Sequence, residues 1–463
     1  MALGKRKREQ QGLWIATTEL PKSPGHPFYK KLNELLAEAD FDRWIEKLCA
    51  PYYAEKLGRP SIPPGVYFRM ILIGYFEGLG SQRGIAWRCS DSRSLAEFLG
   101  IPINEATPDH SSLTRVHQRL PLEIHEQVFV LVLKIAAAKK LLKGKTVAVD
   151  STTLEANAAM KSIVRRESGE DWKTYLTRLA EEAGIENPTA EELRKFDKNR
   201  AKKVSNDEWE SPTDPDSRIA KMKDGTTHLA YKAEHVVDLE TDFILSAEVE
   251  AADHGDAESL CDSVAQAQLH LQAAGSQTEI EEVAADKGYH KASTLELCGA
   301  LGWRTYIPEM KRRDRRRWTD KPATHQAAVV ANRRRVRRAK SKRLQRLRSE
   351  LTERSFAHVC ETGGARRTWL RGLDKVRKRY LIQVAARNLG LMLRKLFGVG
   401  TPKTMQDLVG LCCVLYFAMA TCWRRFWEHA FAMTTICHSA SNDSRAIRHQ
   451  DGFRKKATNS TGC

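Results

Sequence analysis

The spacing of apolar residues changes character at Lys145, and this limits the fold more than any other feature of the chain. Up to about residue 140, apolar positions recur every three or four residues, the period of helices with one buried stripe. "FYKKLNELLAEADFDRWIEKL" predicts one such helix. Pro63 and Pro64 open another, which Gly78 and Gly80 close. "TPDHSSLTRVHQRL" offers Asp109 or Ser111 as the cap of a helix carrying Arg115, His117, Gln118 and Arg119. Short helices, tight turns and a basic last helix fit a helix-turn-helix-like DNA reader. An all-helical packing module with a basic surface fits the same pattern.

Beyond Lys145 the pattern is that of strands. "TVAVD" is apolar or β-branched and runs into Asp150. "HLAYKAEHVVD" alternates and "DFILSAEVE" follows closely, predicting a hairpin around residues 239–241. "GDAESLCDSVAQAQLHLQAAG" is a helix whose acidic first turn suits the helix dipole. Then come the short strand "EEVAAD", the helix "KASTLELCGALG", the strand "WRTYIPE" and a long basic helical run from about Gln326 into Arg354. Three strands, helix, strand, helix, strand, helix is the order of an RNase H-like α/β domain with a mixed sheet. A polar, partly helical segment at residues 167–216 has few apolar residues and reads as an insertion in the first strand connection. The expected layout is an all-helical N-terminal DNA-binding domain (1–140) and an RNase H-like catalytic domain (141–400) with its insertion at about 162–217. A C-terminal helical segment and loose tail (401–463) complete it.

Two predicted strands end in an acid, Asp150 and Asp286. Taken singly, Asp150 serves as readily in a turn or helix cap, and Asp286 could cap the next helix. Two carboxylates at the ends of neighbouring strands, however, repel each other unless a cation lies between them. Mg²⁺ prefers oxygen ligands and keeps waters for substrate phosphates. Two such ions, or Mn²⁺ in their place, suit phosphodiester cleavage. A third carboxylate would come from the closing helix, where Glu353 and Glu350 compete. Asp256 and Glu258 fit a fourth ligand or a helix N-terminus.

The charge balance narrows the partner to a polyanion, with a membrane surface as the rival reading. Lys and Arg number 76 against 58 Asp and Glu, a net charge of +18 that favours a polyanion such as nucleic acid. The runs "KRRDRRRW" and "NRRRVRRAKSKRLQRLR" lead into the Glu353 helix and suit sequence-independent contacts to phosphates. Ten cysteines without a C-x-x-C pair give no zinc signal and fit reduced thiols in a cytosol. "MALGKRKREQQGLW" is basic with no apolar region behind it, so no signal peptide is expected. "LVGLCCVLYFAMATCW" (408–423) is shorter than the ~20 residues of a membrane span. It is expected as a buried or interfacial helix.

"AVDSTTLEAN", "AADKGYH", "ATPDHSSLTRVHQRL" and "ERSFAHVCETGGARRTWLRGLDKVRKRYLIQVAARNLGLMLRKL" resemble the DDE transposases of bacterial insertion sequences, in the retroviral-integrase superfamily. The resemblance spans about residues 62–397, and its D-K-G-Y and E-R-x-F blocks are the most specific. It implies that Asp150, Asp286 and, in preference to Glu350, Glu353 are the catalytic and metal-binding acids, with two Mg²⁺ between them. It also implies double-stranded DNA as partner, a homodimer pairing the terminal inverted repeats, hydrolysis that frees a 3′-hydroxyl, and strand transfer into target DNA. DNA contacts are expected from Arg115, Arg119, Lys287, Arg333, Arg334, Arg335, Arg354, Arg366 and Arg367, and a bacterial cytoplasmic, nucleoid-associated location. Some relatives place tyrosine and arginine seven and four residues before the glutamate and lysine seven after. Here Arg346, Ser349 and Cys360 stand there, so that signature is absent. An RNase H-like nuclease without strand transfer and a non-catalytic DNA-binding protein are the alternatives.

Overall fold

Asp40 occupies the left-handed backbone region (φ 49°) and divides what the apolar period predicted as one helix into α1 (Pro27–Glu38) and α2 (Phe41–Cys49). Asp tolerates this region better than most residues, and the bend lets both helices turn their apolar faces inward. The structure is a computed structural model that describes residues 25–403, apart from 56, 57, 59, 200–204, 223, 224, 312–317 and 320, together with Met419 and Trp423. Contacts between Cα atoms divide the chain into Met1–Pro402 and Lys403–Cys463. The elements named below all belong to the first unit.

Five further helices complete the helical part: α3 (Pro64–Phe76), α4 (Gln82–Asp91), α5 (Arg93–Phe98), α6 (His110–Arg119) and α7 (Leu122–Ala138). Pro63 precedes α3 as expected, and Gly78 behind it has φ 70°. Asp109, rather than Ser111, caps α6, accepting from the Ser111 N–H at 2.8 Å. In the core of this bundle, His117 Nε2 donates to the Lys375 carbonyl (3.2 Å) and His125 Nδ1 to the Pro121 carbonyl (2.9 Å). These acceptors fix the tautomers, so both bare nitrogens face the Tyr67 hydroxyl at 2.9 and 3.2 Å.

The second part alternates strands and helices. Its elements are β1 (Thr146–Glu155), β2 (Val164–Arg165), α8 (Trp172–Glu182), α9 (Ala190–Asn199), β3 (Trp209–Glu210), β4 (Arg218–Lys221), β5 (Thr227–Asp238) and β6 (Ile244–Ala251). They continue with α10 (Asp256–Ala273), β7 (Glu282–Ala285), α11 (Ala292–Ala300), β8 (Arg304–Tyr306), α12 (Ala323–Val336), α13 (Ala339–Phe356) and α14 (Leu373–Phe397). The sheet runs β4–β5–β1–β7–β8, with β6 also on the outer side of β5. Pairing is antiparallel among β1, β4, β5 and β6, and parallel from β1 through β7 to β8. Successive residues of a strand face opposite sides. α13 covers one face of the sheet and α10 the other, while α14 packs against β6, α3 and α7.

Three further expectations need correction. Strand β1 does not end at Asp150: its pairing with β5 runs on to Glu155, whereas its pairing with β7 stops at Val149↔Ala285. Asp150 therefore sits where one neighbour has left and the other continues. The long basic helix is two helices, because Arg338 is extended (ψ 153°). Arg335 ties α12 to the Thr305 carbonyl at 2.9 Å, and α13 begins afresh with Lys340 paired to Glu282 at 2.6 Å. The polar segment has a small core of its own: Leu176, Ala180 and Leu193 cluster with Trp172, Ile185 and Phe196. Trp209 packs edge-on against Trp172 and Tyr175.

Most of residues 408–423, the tail and most of "KRRDRRRW" lie outside the described residues. No helix of the described residues is long and apolar enough to cross a membrane.

Burial lowers His117 from 6.5 to about 4 and His125 to about 3. Because these folded values lie below the unfolded one, the unfolded chain binds more protons between them. The stability contributed by the neutral pair is therefore complete above pH 6.5 and lost as pH falls toward 4 and 3. Urea unfolding over that range should show the loss. His125→Gln should reduce its slope by up to about 1.4 kcal/mol per pH unit.

Candidate active site

Two carboxylates meet where β7 leaves the sheet. The last registered pair of the parallel ladder is Val149↔Ala285, and the next residue on each chain is an acid, Asp150 and Asp286. Neighbouring strands lie about 4.8 Å apart, so the two backbones bring the acids side by side. Asp150 is one-quarter exposed (24%). Burial pushes its carboxyl up, and the charge of Asp286 adds to this. Arg348, the Thr352 hydroxyl and the Ser151 N–H pull it back down.

Asp150 lies on the α13 face of β1. Arg348 Nη1 and Thr352 Oγ1 both donate to its Oδ2, at 2.7 and 3.0 Å. The Ser151 N–H donates to its Oδ1 at 3.0 Å. Arg348 and Thr352 are four residues apart and so share one face of the helix. Opposite Asp150 in the sheet is His235, which stacks on Phe356 (4.2 Å) and faces the Ser355 and Tyr380 hydroxyls. These contacts fix the rotation of α13 about its axis.

Asp286 caps the turn that follows β7, accepting the Gly288 N–H at 2.6 Å through Oδ1. A Cβ on Gly288 would lie 2.9 Å from that oxygen and 3.1 Å from Asp256 Oδ2. The glycine of the D-K-G-Y block is thus needed for two carboxylates to crowd one turn. Among the described residues, Asp286 Oδ2 has no hydrogen-bond partner.

On the opposite face a polar network underlies both acids. Ser151 Oγ donates to Asp256 Oδ1 (3.0 Å), and Lys232 Nζ pairs with the same oxygen (3.0 Å). Lys232 also reaches Ser259 (3.1 Å) and lies 3.7 Å from Glu234. The Glu234 carboxylate accepts from Ser259 (2.8 Å), Tyr289 (2.7 Å) and Ser263. Glu234 is buried (1% exposed) and burial pushes its carboxyl up. The network joins the residue after Asp150 to Tyr289, three positions beyond Asp286. Asp256, which the sequence left between ligand and helix terminus, heads α10 and pairs with Lys232.

Glu353 follows Thr352 on α13 but is exposed, and its Oε1 accepts from Ser349 at 2.9 Å. Glu350 is paired with Arg354 instead. Among the described residues no three His, Cys, Asp or Glu side chains gather closely enough to hold a metal ion. The Asp150–Asp286 pair itself fits a hard divalent cation, being two adjacent carboxylates with one oxygen unpartnered.

The basic residues divide into exposed and engaged. Arg115, Arg119, Lys287, Arg334 and Arg367 are exposed, although Arg119 also lies over the Tyr53 ring and Arg367 over Trp369. Arg333 is bound to Glu309 (2.8 Å), Arg335 to Thr305, and Arg354 to Glu350 and Asp242. Arg366 bridges Glu361 to Thr152 and the Thr153 carbonyl, two and three residues past Asp150. His117, on the basic helix, is a core residue. Beyond the end of β1 a groove of about 580 Å³ is lined by Lys161, His228, Arg367 and Arg371.

Arg348, Thr352 and the Lys232–Glu234 network were not anticipated. The signal for the network was present: two charges at alternate positions inside the otherwise apolar "HLAYKAEHVVD" must share one face of a strand.

A mixed sheet with paired acids where β1 and β7 part is compatible with divalent-cation chemistry on phosphodiesters. The family model described as "Transposase DDE domain" matches residues 143–389, more than half of the chain, which therefore belongs to the DDE-type transposases of insertion sequences. A second, "Transposase domain (DUF772)", matches residues 19–119. No curated protein matches the chain. Transposases act on DNA, DDE domains generally use divalent metals, and the DDE domain implies an RNase H-like fold.

Lys232→Met would leave Glu234 buried without its cation and free Asp256 at the head of α10. Removing one partner of a buried pair costs about 3–5 kcal/mol, and a loss near the lower figure is expected in urea denaturation.

Proposed function

We propose that this transposase binds the terminal inverted repeats of its element and catalyses divalent-metal-dependent cleavage and strand transfer, with Asp150, Asp286 and Glu353 as its acids. The observation that carries the reading is the position of Asp150 and Asp286 on adjacent chains at the point where β1 and β7 part. Glu353 completes the set by turning its exposed side chain away from Ser349, one helical position from the residue that already bonds Asp150. These acids would hold two Mg²⁺ ions, or Mn²⁺ in their place, whose chemistry there would be to activate a water and offset charge at the phosphodiester.

The protein's own part is to hold the strand and its reacting oxygen in line. Arg366, anchored beside Thr152, and the basic groove of Lys161, Arg367 and Arg371 support a path for the DNA backbone along β1. Exposed Lys342, Arg343 and Arg346 on α13, with Arg334 and Lys287, extend positive charge on either side. Arg333, Arg335 and Arg354 act there mainly by fixing the helices that carry those charges. Such contacts are independent of base sequence. Recognition of the repeats falls to the helical region at 1–140, with Arg115 and Arg119 on its last basic helix. The catalytic region is 141–400, followed by a C-terminal segment at 401–463. A homodimer pairs the two element ends, and each freed 3′-hydroxyl attacks target DNA with no covalent protein–DNA intermediate. The protein works in the bacterial cytoplasm, on the nucleoid.

The test is a cleavage and joining assay on duplexes bearing the element ends, with Mg²⁺. Asp150→Ala, Asp286→Ala and Glu353→Ala are each expected to lower cleavage at least about a hundredfold while leaving DNA retention intact. Undiminished cutting by the aspartate variants would overturn the metal assignment. Cutting without joined products would leave a nuclease, and retention without cutting a binding protein.

A further inference from the structure

Arg348 is the one cation on Asp150 among the described residues, and it is not a loose surface side chain. It is 15% exposed, and its Nε donates to Gln345 Oε1 at 3.1 Å. Gln345 is itself clamped, its Nε2 donating to the Ala285 and Tyr306 carbonyls at 3.1 and 2.6 Å. The guanidinium is thereby tethered to the ends of β7 and β8, beside the turn that carries Asp286. Its Nη1 shares Asp150 Oδ2 with Thr352, while Oδ1 takes the Ser151 N–H. Oδ2 is thus filled by two donors while Oδ1 takes one, so a cation on Oδ2 must displace a donor, and a cation on Oδ1 meets the positive charge of Arg348 on the same carboxylate.

We propose that Arg348 is the built-in counter-ion of Asp150, competing with the divalent ion for it and releasing it when a DNA phosphate accepts the guanidinium. The inference rests on the metal assignment proposed above. Removing a part-buried arginine from its carboxylate leaves a charge in want of an anion. The other acids assigned to this site, Asp286 and Glu353, are the remaining proposed metal ligands, so they cannot take the guanidinium and the ion together. A phosphate of the bound strand is the anion that can, and it accepts a guanidinium in the same forked geometry as a carboxylate. Metal binding and DNA binding then reinforce each other, because each relieves what the other would have to break, and the coupling is reciprocal. The free protein holds its metal weakly, and full occupancy waits for substrate.

The experiment measures Mn²⁺ binding to the full chain by the loss of the free-ion electron paramagnetic resonance signal. The site of interest is the part of the binding lost in Asp150→Ala. Without DNA, Arg348→Gln is expected to bind Mn²⁺ about tenfold more tightly than the parent, and Arg348→Lys to lie between them. Gln345→Ala keeps the charge but cuts its tether. It should shift affinity the same way by less, and serves if the glutamine variant does not fold. Added duplex should tighten Mn²⁺ binding in the parent and do so much less in Arg348→Gln. Unchanged or weaker Mn²⁺ binding by Arg348→Gln would overturn the proposal, since the arginine would then be orienting Asp150 for the ion. An equal effect of DNA on parent and variant would overturn the phosphate exchange. If Asp150→Ala removes no Mn²⁺ binding, with or without DNA, the metal assignment itself fails and this proposal with it. That result is distinct from an Asp150-dependent site that does not respond to Arg348.

Discussion

Burial of the Asp150 carboxylate, with Asp286 following on the adjacent strand, is the constraint around which this domain is arranged. Two carboxylates on adjacent strands, one of them three-quarters buried, raise the free energy of the charged state unless positive charge or hydrogen-bond donors are supplied. The fold supplies them from both sides. From one face α13 brings Arg348 and Thr352 to Asp150. From the other, Lys232 neutralises Asp256 and Glu234, which otherwise would add to the negative field. The sheet can tolerate this density of acids because the period-two alternation of β1 and β5 sends Asp150 and His235 to one side, and Ser151 and Glu234 to the other.

That division links architecture to chemistry. His235 anchors Phe356, Ser355 and Tyr380 in the dry interior and so sets the rotation of α13. Rotation decides which residues of the helix meet Asp150, and it places Glu353 one position from that line. On the α10 side, the Glu234–Tyr289 bond holds the turn after β7, where Asp286 must sit with Gly288 beneath it. The helical region is not a loose appendage to this framework. His117 donates to the Lys375 carbonyl at the start of α14, and α14 runs on against α3, α7 and β6. The helical bundle and the sheet thus share α14 as a common packing element.

Much of this was legible in the chain because it is local. The alternation in "HLAYKAEHVVD", the short apolar run before Asp286 and the prolines before α3 each define an element within a few residues. What escaped was decided by partners distant in sequence. Asp150 reads as a strand end because the apolar run stops at an acid, and only the antiparallel partner, some eighty residues on, carries the strand to Glu155. Asp40 and Arg338 break helices whose apolar period continues through them, since backbone dihedrals leave no mark in hydrophobic spacing. Arg333 and Arg335 read as phosphate contacts in a basic run, and in the fold they are held by Glu309 and Thr305. Charge alone does not distinguish a phosphate contact from an internal anchor.

On the proposed reading, Asp150 and Asp286 together hold the divalent ion on which DNA cleavage depends. Crystals of the protein grown with Mn²⁺ and measured at the manganese absorption edge test this most directly. An anomalous peak is expected within coordination distance, about 2.0–2.3 Å, of one oxygen from each aspartate. The peak should be absent from crystals of Asp286→Asn grown the same way. Manganese bound elsewhere with this edge empty, or a peak that persists undiminished in Asp286→Asn, would contradict it.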